Sequence, residues 1–301
     1  MHPALSIILF SSLSGLGFGL MFWMGATVPP TPNVFLWYVL AFALASGGLI
    51  SSTLHLGRPE RALWAFTQWR SSWLSREGIA AVAALAVNGL YAALILFAGF
   101  RMVPLGWLAA ALALLTVLTT SMIYAQLRTV PRWRHWSTPA LYLSLSLAGG
   151  AILAGWADMS LIFLLISAVL QLVNWSHGDR ALGRSGTDLG TATGLGTRGA
   201  VRAFEPPHTG PNYLTREMVH VVARRHVRVL RALALAFGYA LPILLVLTPV
   251  PMLVVALVHL GGVILSRWLF FAEAEHVVGL YYGAHVPGRP PPPHLQQGAH
   301  R

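Results

Sequence analysis

His55 and Glu77 are an imidazole and a carboxylate separated by a 21-residue connection, and they close the two ends of the segment HLGRPERALWAFTQWRSSWLSREG. Long, nearly uncharged runs flank that segment on both sides. A histidine ending one membrane span and a glutamate opening the next can share one cleft at the membrane–water interface. There the pair can relay protons to a lipid-soluble redox molecule. A plainer reading stands beside this one: Ser75 and Glu77 also suit a helix start, through the free N–H groups and the macrodipole. His55 would then be an ordinary interfacial hydrogen-bonding group. Arg58, Arg61, Arg70 and Arg76 could hold an acidic partner or lipid headgroups, or serve only as topology signals. Trp64, Trp69 and Trp73 fit interfacial anchors.

Ionisable residues within or at the lip of a span are costly unless paired or hydrated, so each is a functional candidate. Beyond His55 and Glu77 these are His259, Arg267, Glu273, Glu275 and His276, with His2 just outside the first span. Bis-histidine haem needs two histidines at similar depth on facing helices. Only His259 lies deep in a span, so no haem is expected. No P-loop, zinc-ligand spacing or Ser–His–Asp pattern stands out, and no catalytic or metal-ligating residue is assigned.

The elements that must position these groups are membrane spans. The chain has 301 residues, is 56% hydrophobic and 10% charged, and has a mean hydropathy of +0.65. About 20 apolar residues cross the hydrocarbon core. Runs of that length fall at about 4–26, 33–54, 77–100, 104–125, 137–155, 158–175, 230–248 and 251–271. The expected fold class is an all-α integral membrane protein, an eight-transmembrane-helix bundle occupying 1–286, followed by a proline-rich tail over 287–301. Net charge is +11, from arginines without a single lysine. The arginines lie in alternate loops beside spans, as orientation requires, which argues against a nucleic-acid partner. Their pattern puts both termini and the long 176–229 loop in the cytoplasm. Within that loop, residues from Thr215 onward read as a basic amphipathic helix on the membrane surface or against a partner. With no cysteine, an all-cysteine iron–sulfur cluster is excluded. A cleavable signal peptide is not expected, because the first apolar run lacks a basic leader and is long enough to span.

Five segments in order, MHPALSIILFSSLSGLGFG, HLGRPERA with SSWLSREG, SMIYAQLRTVPRWRHW, NYLTREM and RWLFFAEAEHVVGLYYG, resemble the membrane anchor subunit of bacterial dimethyl sulfoxide reductase and its relatives. The resemblance implies an eight-helix subunit in the bacterial inner membrane. Its partners would be a four-cluster, ferredoxin-like iron–sulfur subunit and a molybdopterin catalytic subunit, both on the cytoplasmic side. The chain would exchange electrons with quinone, either ubiquinone or menaquinone, and hold no haem or cluster itself. In that family a histidine ending helix 2 and a glutamate opening helix 3 are implicated in menaquinol binding, and His55 and Glu77 match those positions. Arg58 and Arg61 would shape or neutralise the site, and 176–229 would dock the iron–sulfur partner. Related anchors serve sulfoxide or N-oxide reductases, and the RPERA…WRSSWLSREG version also looks like a sulfite dehydrogenase subunit. The rival expectation is a membrane scaffold or transporter-like protein without a quinone site.

Overall fold

The computed structural model describes residues 3–27, 33–53, 64, 66–202, 204 and 222–282. His55, Arg58, Arg61, the NYLTREM segment and the 287–301 tail lie outside the described residues. Those described form helices and connections with no strand, and eight helices are long and apolar enough to cross a membrane. They are α1 (Leu5–Ala26), α2 (Val34–Thr53), α3 (Trp73–Ala98), α4 (Val103–Ala125), α5 (Ser137–Ala154), α6 (Ala157–Arg184), α7 and α8 (Met252–Ala272). The seventh is built from Val222–Leu235, a π-helical turn at Ala236–Ala240, and Leu241–Val246.

Local chemistry explains the ends. The Ser72 side chain accepts from the Ser75 N–H and caps α3, so that helix starts a full turn before Glu77. Gly99 and Gly155 close α3 and α5 at φ 61° and 81°, in the left-handed region that glycine adopts without steric cost. Pro251 stands immediately before α8.

Burial sorts the helices into centre and rim. Of the most apolar stretch of each, 78% is buried in α5 and 61% in α1, against 28% in α2 and α6. Helix α1 packs on α2, α4 and α5 and touches α8. Small residues permit this closeness: a side chain at Gly19 would strike the Ser146 backbone, and one at Gly150 would strike Gly19. The rim helices point Phe35, Leu90, Leu165 and Val169 outward, as lipid-facing surfaces do.

Two boundaries depart from the sequence reading. Helix α6 continues to Arg184, nine residues beyond the expected stop at 175, because Gln171, Asn174, Trp175, Gly178, Ala181 and Leu182 keep one face buried at helical spacing. The seventh helix also extends N-terminal to the expected start at 230, and the basic run is described only from Val222 on. From Val222 it is the first part of α7 and runs straight into the span.

Candidate functional site

Glu77 lies in the second turn of α3 and is 4% exposed. Its Oε1 accepts a 2.6 Å hydrogen bond from Thr120 Oγ1 on α4, and the Thr116 carbonyl, 2.9 Å from the same Oγ1, competes for that one hydroxyl proton. The helix-start reading of this glutamate therefore fails, since Ser72 does the capping and Glu77 points into the bundle. A carboxyl group withdrawn from water at a membrane helix is costly unless its partners or its work compensate.

The described end of the preceding connection lies against α3. Arg76 donates to the Trp69 and Arg70 carbonyls at 2.9 and 2.7 Å and stacks over the Trp73 ring. The space beside Gly78 is taken by the Phe66 ring, next to Glu77 in the chain. Trp64 and Trp69 are 74% and 52% exposed, in keeping with interfacial anchors.

Behind Glu77 stands an aromatic wall. Tyr124 is ringed by Trp133, Phe270, Phe271 and Tyr142, with centroids 5.4 to 6.0 Å away. Trp133 stacks on Phe270 and donates from Nε1 to its carbonyl at 2.9 Å. Tyr124 and Tyr142 are each within electrostatic range of both Glu77 and Arg267. The Arg267 guanidinium sits 3.4 Å over the Tyr142 ring centroid. A buried carboxyl with a single hydroxyl partner can hold or pass a proton at its oxygen.

Beside this wall lies a four-membered ion network that sequence reasoning missed. Arg132 bonds Glu273 at 2.9 Å and Asp179 at 2.7 Å, and Arg231 reaches the same two acids at 2.6 Å. The network joins the α4–α5 connection, α6, α7 and the end of α8. In the sequence Arg132 reads only as one of the topology-setting arginines, and Asp179 carries no signal at all. Glu273, a candidate from its place at a span lip, is the acid that both arginines share.

His259, the deep histidine, is 1% exposed, and its Nδ1 is 2.7 Å from the Gly238 carbonyl in the π-turn of α7. A π-turn displaces backbone carbonyls from the regular ladder, which leaves one for the imidazole. His135, in the α4–α5 connection, stacks on His177 of α6 with ring centroids 3.8 Å apart. Burial, and then the neighbouring His177, pushes the His135 imidazole below its ordinary range.

Of the sequence-derived site residues, the structure thus places Glu77 in a buried polar contact, while His55, Arg58 and Arg61 lie outside the described residues. No solved structure matches this chain. It is similar to a sulfite dehydrogenase subunit of Allochromatium vinosum, at 29% identity over 327 aligned positions covering 94% of this chain and 99% of that one. Residues 11–174, more than half of the chain, match the family model described as DMSO reductase anchor subunit (DmsC). With eight apolar helices and that match, this multi-pass membrane protein belongs to the DMSO reductase anchor subunit family.

Proposed function

We propose that this chain is the quinone-reactive anchor of a molybdopterin and iron–sulfur oxidoreductase complex in a bacterial cytoplasmic membrane. The observation that carries the reading is Glu77: a 4% exposed carboxyl in the second turn of a membrane helix, bonded to one hydroxyl and backed by aromatic rings. Quinone, when bound, supplies a two-electron, two-proton couple that moves within the bilayer. The chain supplies the proton handling. Glu77 gives or takes a proton at its carboxyl oxygen, and Thr120 orients that carboxyl by donating to Oε1. His55 is the second proton-exchanging group, and Arg58 and Arg61 complete the site from the same connection. Tyr124, within electrostatic range of Glu77, is itself packed by Trp133, Phe270 and Phe271, which makes that side of the site apolar.

The arginine-bearing ends of the helices face the cytoplasm in this reading. Exposed Arg128, Arg134, Arg180 and Arg184 then meet an acidic face of the iron–sulfur subunit together with the 176–229 segment. Likeness to a sulfite dehydrogenase subunit across nearly the whole chain favours sulfite oxidation by the catalytic partner over sulfoxide or N-oxide reduction. Two electrons from sulfite would pass through the partner clusters to quinone, which takes up two protons.

The test is sulfite-linked quinone reduction by the intact purified complex, with His55→Ala and Glu77→Gln variants. Both are expected to assemble and to lose most quinone-linked turnover, while artificial-acceptor activity at the catalytic subunit stays normal. Unchanged quinone turnover in both variants would falsify the assignment.

A further inference from the structure

Arg267 is 3% exposed and lies five residues before the end of α8, about 7 Å inside the bundle by helical rise. Glu77 lies four residues after the start of α3, about 6 Å inside the same side. The two charges thus occupy one layer of the membrane domain, and a continuous run of buried groups joins them. Glu77 is bonded to Thr120, and Tyr124 lies one turn further along the same α4 face. The Tyr124 and Tyr142 rings are 6.0 Å apart, and the Arg267 guanidinium stands 3.4 Å from the Tyr142 ring centroid. Both tyrosines are buried, and the charged side chains acting on them are Glu77 and Arg267.

Other ionic partners for this pair are engaged elsewhere. Asp179 and Glu273 balance Arg132 and Arg231. Arg76, next to Glu77 in the chain, bonds the Trp69 and Arg70 carbonyls and stacks on Trp73. Around Arg267, Tyr239 of α7 donates to Gln171, and His259 of α8 meets the Gly238 carbonyl at Nδ1. A guanidinium cannot relieve its burial by losing a proton, so its charge persists in the layer. Unit charges on the order of 10 Å apart in such an interior shift each other's protonation by about one pH unit.

We propose that Arg267 is the counter-charge of Glu77, acting across the Tyr124–Tyr142 pair to favour the ionised form of that carboxyl. Arg267 is then a positioning residue that tunes the proton exchange of Glu77 without touching the quinone. Only this link to turnover rests on the proposed quinone site; the pairing itself is a property of two buried charges.

The experiment is a double-mutant cycle of melting temperatures on the intact purified complex, with Glu77→Gln, Arg267→Gln and the double variant. Glu77→Gln strands a charge that cannot be discharged, and removing Arg267 as well relieves it. The loss in the double variant is therefore expected to be clearly smaller than the two single losses added together. Additive losses overturn the pairing, whatever the turnover of the variants. If Arg267→Gln accumulates only together with Glu77→Gln, the pairing stands; if the double variant also fails to accumulate, it is overturned. The pH profile of quinone-linked turnover gives the second reading. Arg267→Gln should move the limb controlled by Glu77 about one unit toward alkaline pH, while Arg267→Lys leaves it near the wild-type position. A lowered rate with an unmoved limb in Arg267→Gln reduces Arg267 to a packing residue and overturns the tuning. Normal quinone turnover in Glu77→Gln would instead remove the quinone reading and leave the melting cycle to decide the pairing.

Discussion

Thr120 Oγ1 lies 2.6 Å from Glu77 Oε1, a contact between α3 and α4 that ties a buried acid to a single hydroxyl across 43 positions of sequence. The same hydroxyl shares its bonding with the Thr116 carbonyl, which fixes its rotamer. Thr120→Val keeps the shape and removes the donor, leaving a buried carboxyl oxygen without a partner. Quinone-linked turnover of the complex is expected to fall about tenfold, the effect of losing one charge-assisted bond, with assembly intact. Thr120→Ser should restore most of it. Steady-state assays of the three proteins check this, and a Val variant with normal turnover removes Thr120 from the site.

The ion network makes a different kind of prediction, about stability. Glu273 has a side chain only 5% exposed and serves both Arg132 and Arg231, whereas the Asp179 side chain is 46% exposed. Removing the buried acid leaves two guanidinium groups short of charge, so Glu273→Ala should cost about 3–5 kcal/mol. Solvent screens the pair at Asp179, and Asp179→Ala should cost about 1 kcal/mol or less. Thermal melts of the solubilised protein give the order. Equal losses in the two variants would show that burial does not grade these pairs.

These contrasts also mark what was legible in the sequence. Long apolar runs announce spans because a bilayer demands them, and Gly155 broke the fifth span from the sixth where the chain turns. Glu77 was visible as an acid at a span edge. Its depth was not, because Trp73 and Leu74 read as part of the polar connection although Ser72 had already capped the helix. The network of Arg132, Asp179, Arg231 and Glu273 was illegible for another reason. Its partners are as far as 141 positions apart, and no local period or spacing rule joins residues brought together only by packing. Arg267 stood out as an intramembrane cation, but that its buried Nε has no partner among the described residues could be seen only once its neighbours were placed.

The His135–His177 stack predicts a pH dependence. Burial and the neighbouring imidazole hold His135 below its ordinary value near 6.5 in the folded protein. The unfolded chain then takes up this proton first as pH falls, so the folded state loses stability from about pH 6.5 downward. Above that pH both states are neutral here and the group contributes no slope. Melting temperature should therefore drop between pH 7.5 and pH 5.5. In His135→Gln the drop should shrink, because one depressed site no longer titrates. The same drop in wild type and variant would place the responsible group elsewhere.

Gly178 and Gly183 lie five residues apart in α6, and Gly→Ala should have opposite signs at the two. Helix propensity favours alanine at both positions by up to about 1 kcal/mol, through a less flexible unfolded chain. At Gly183 a new methyl meets nothing within 4 Å, so the propensity gain stands, and Gly183→Ala should stabilise by about 0.5–1 kcal/mol. At Gly178 the methyl would lie 2.5 Å from Arg132 Nη1 and 2.9 Å from Arg132 Cγ. A free arginine could swing away, but this one is held at once by Glu273 and Asp179 from different elements. The clash must therefore move the helix or break the ion network, which costs about 1–3 kcal/mol and exceeds the propensity gain. Gly178→Ala should accordingly lower the melting temperature while Gly183→Ala raises it. In an Arg132→Ala background the penalty at 178 should vanish, since the group it strikes is gone. A penalty that persists there would mean that something other than the Arg132 crossing requires a glycine at this point of α6.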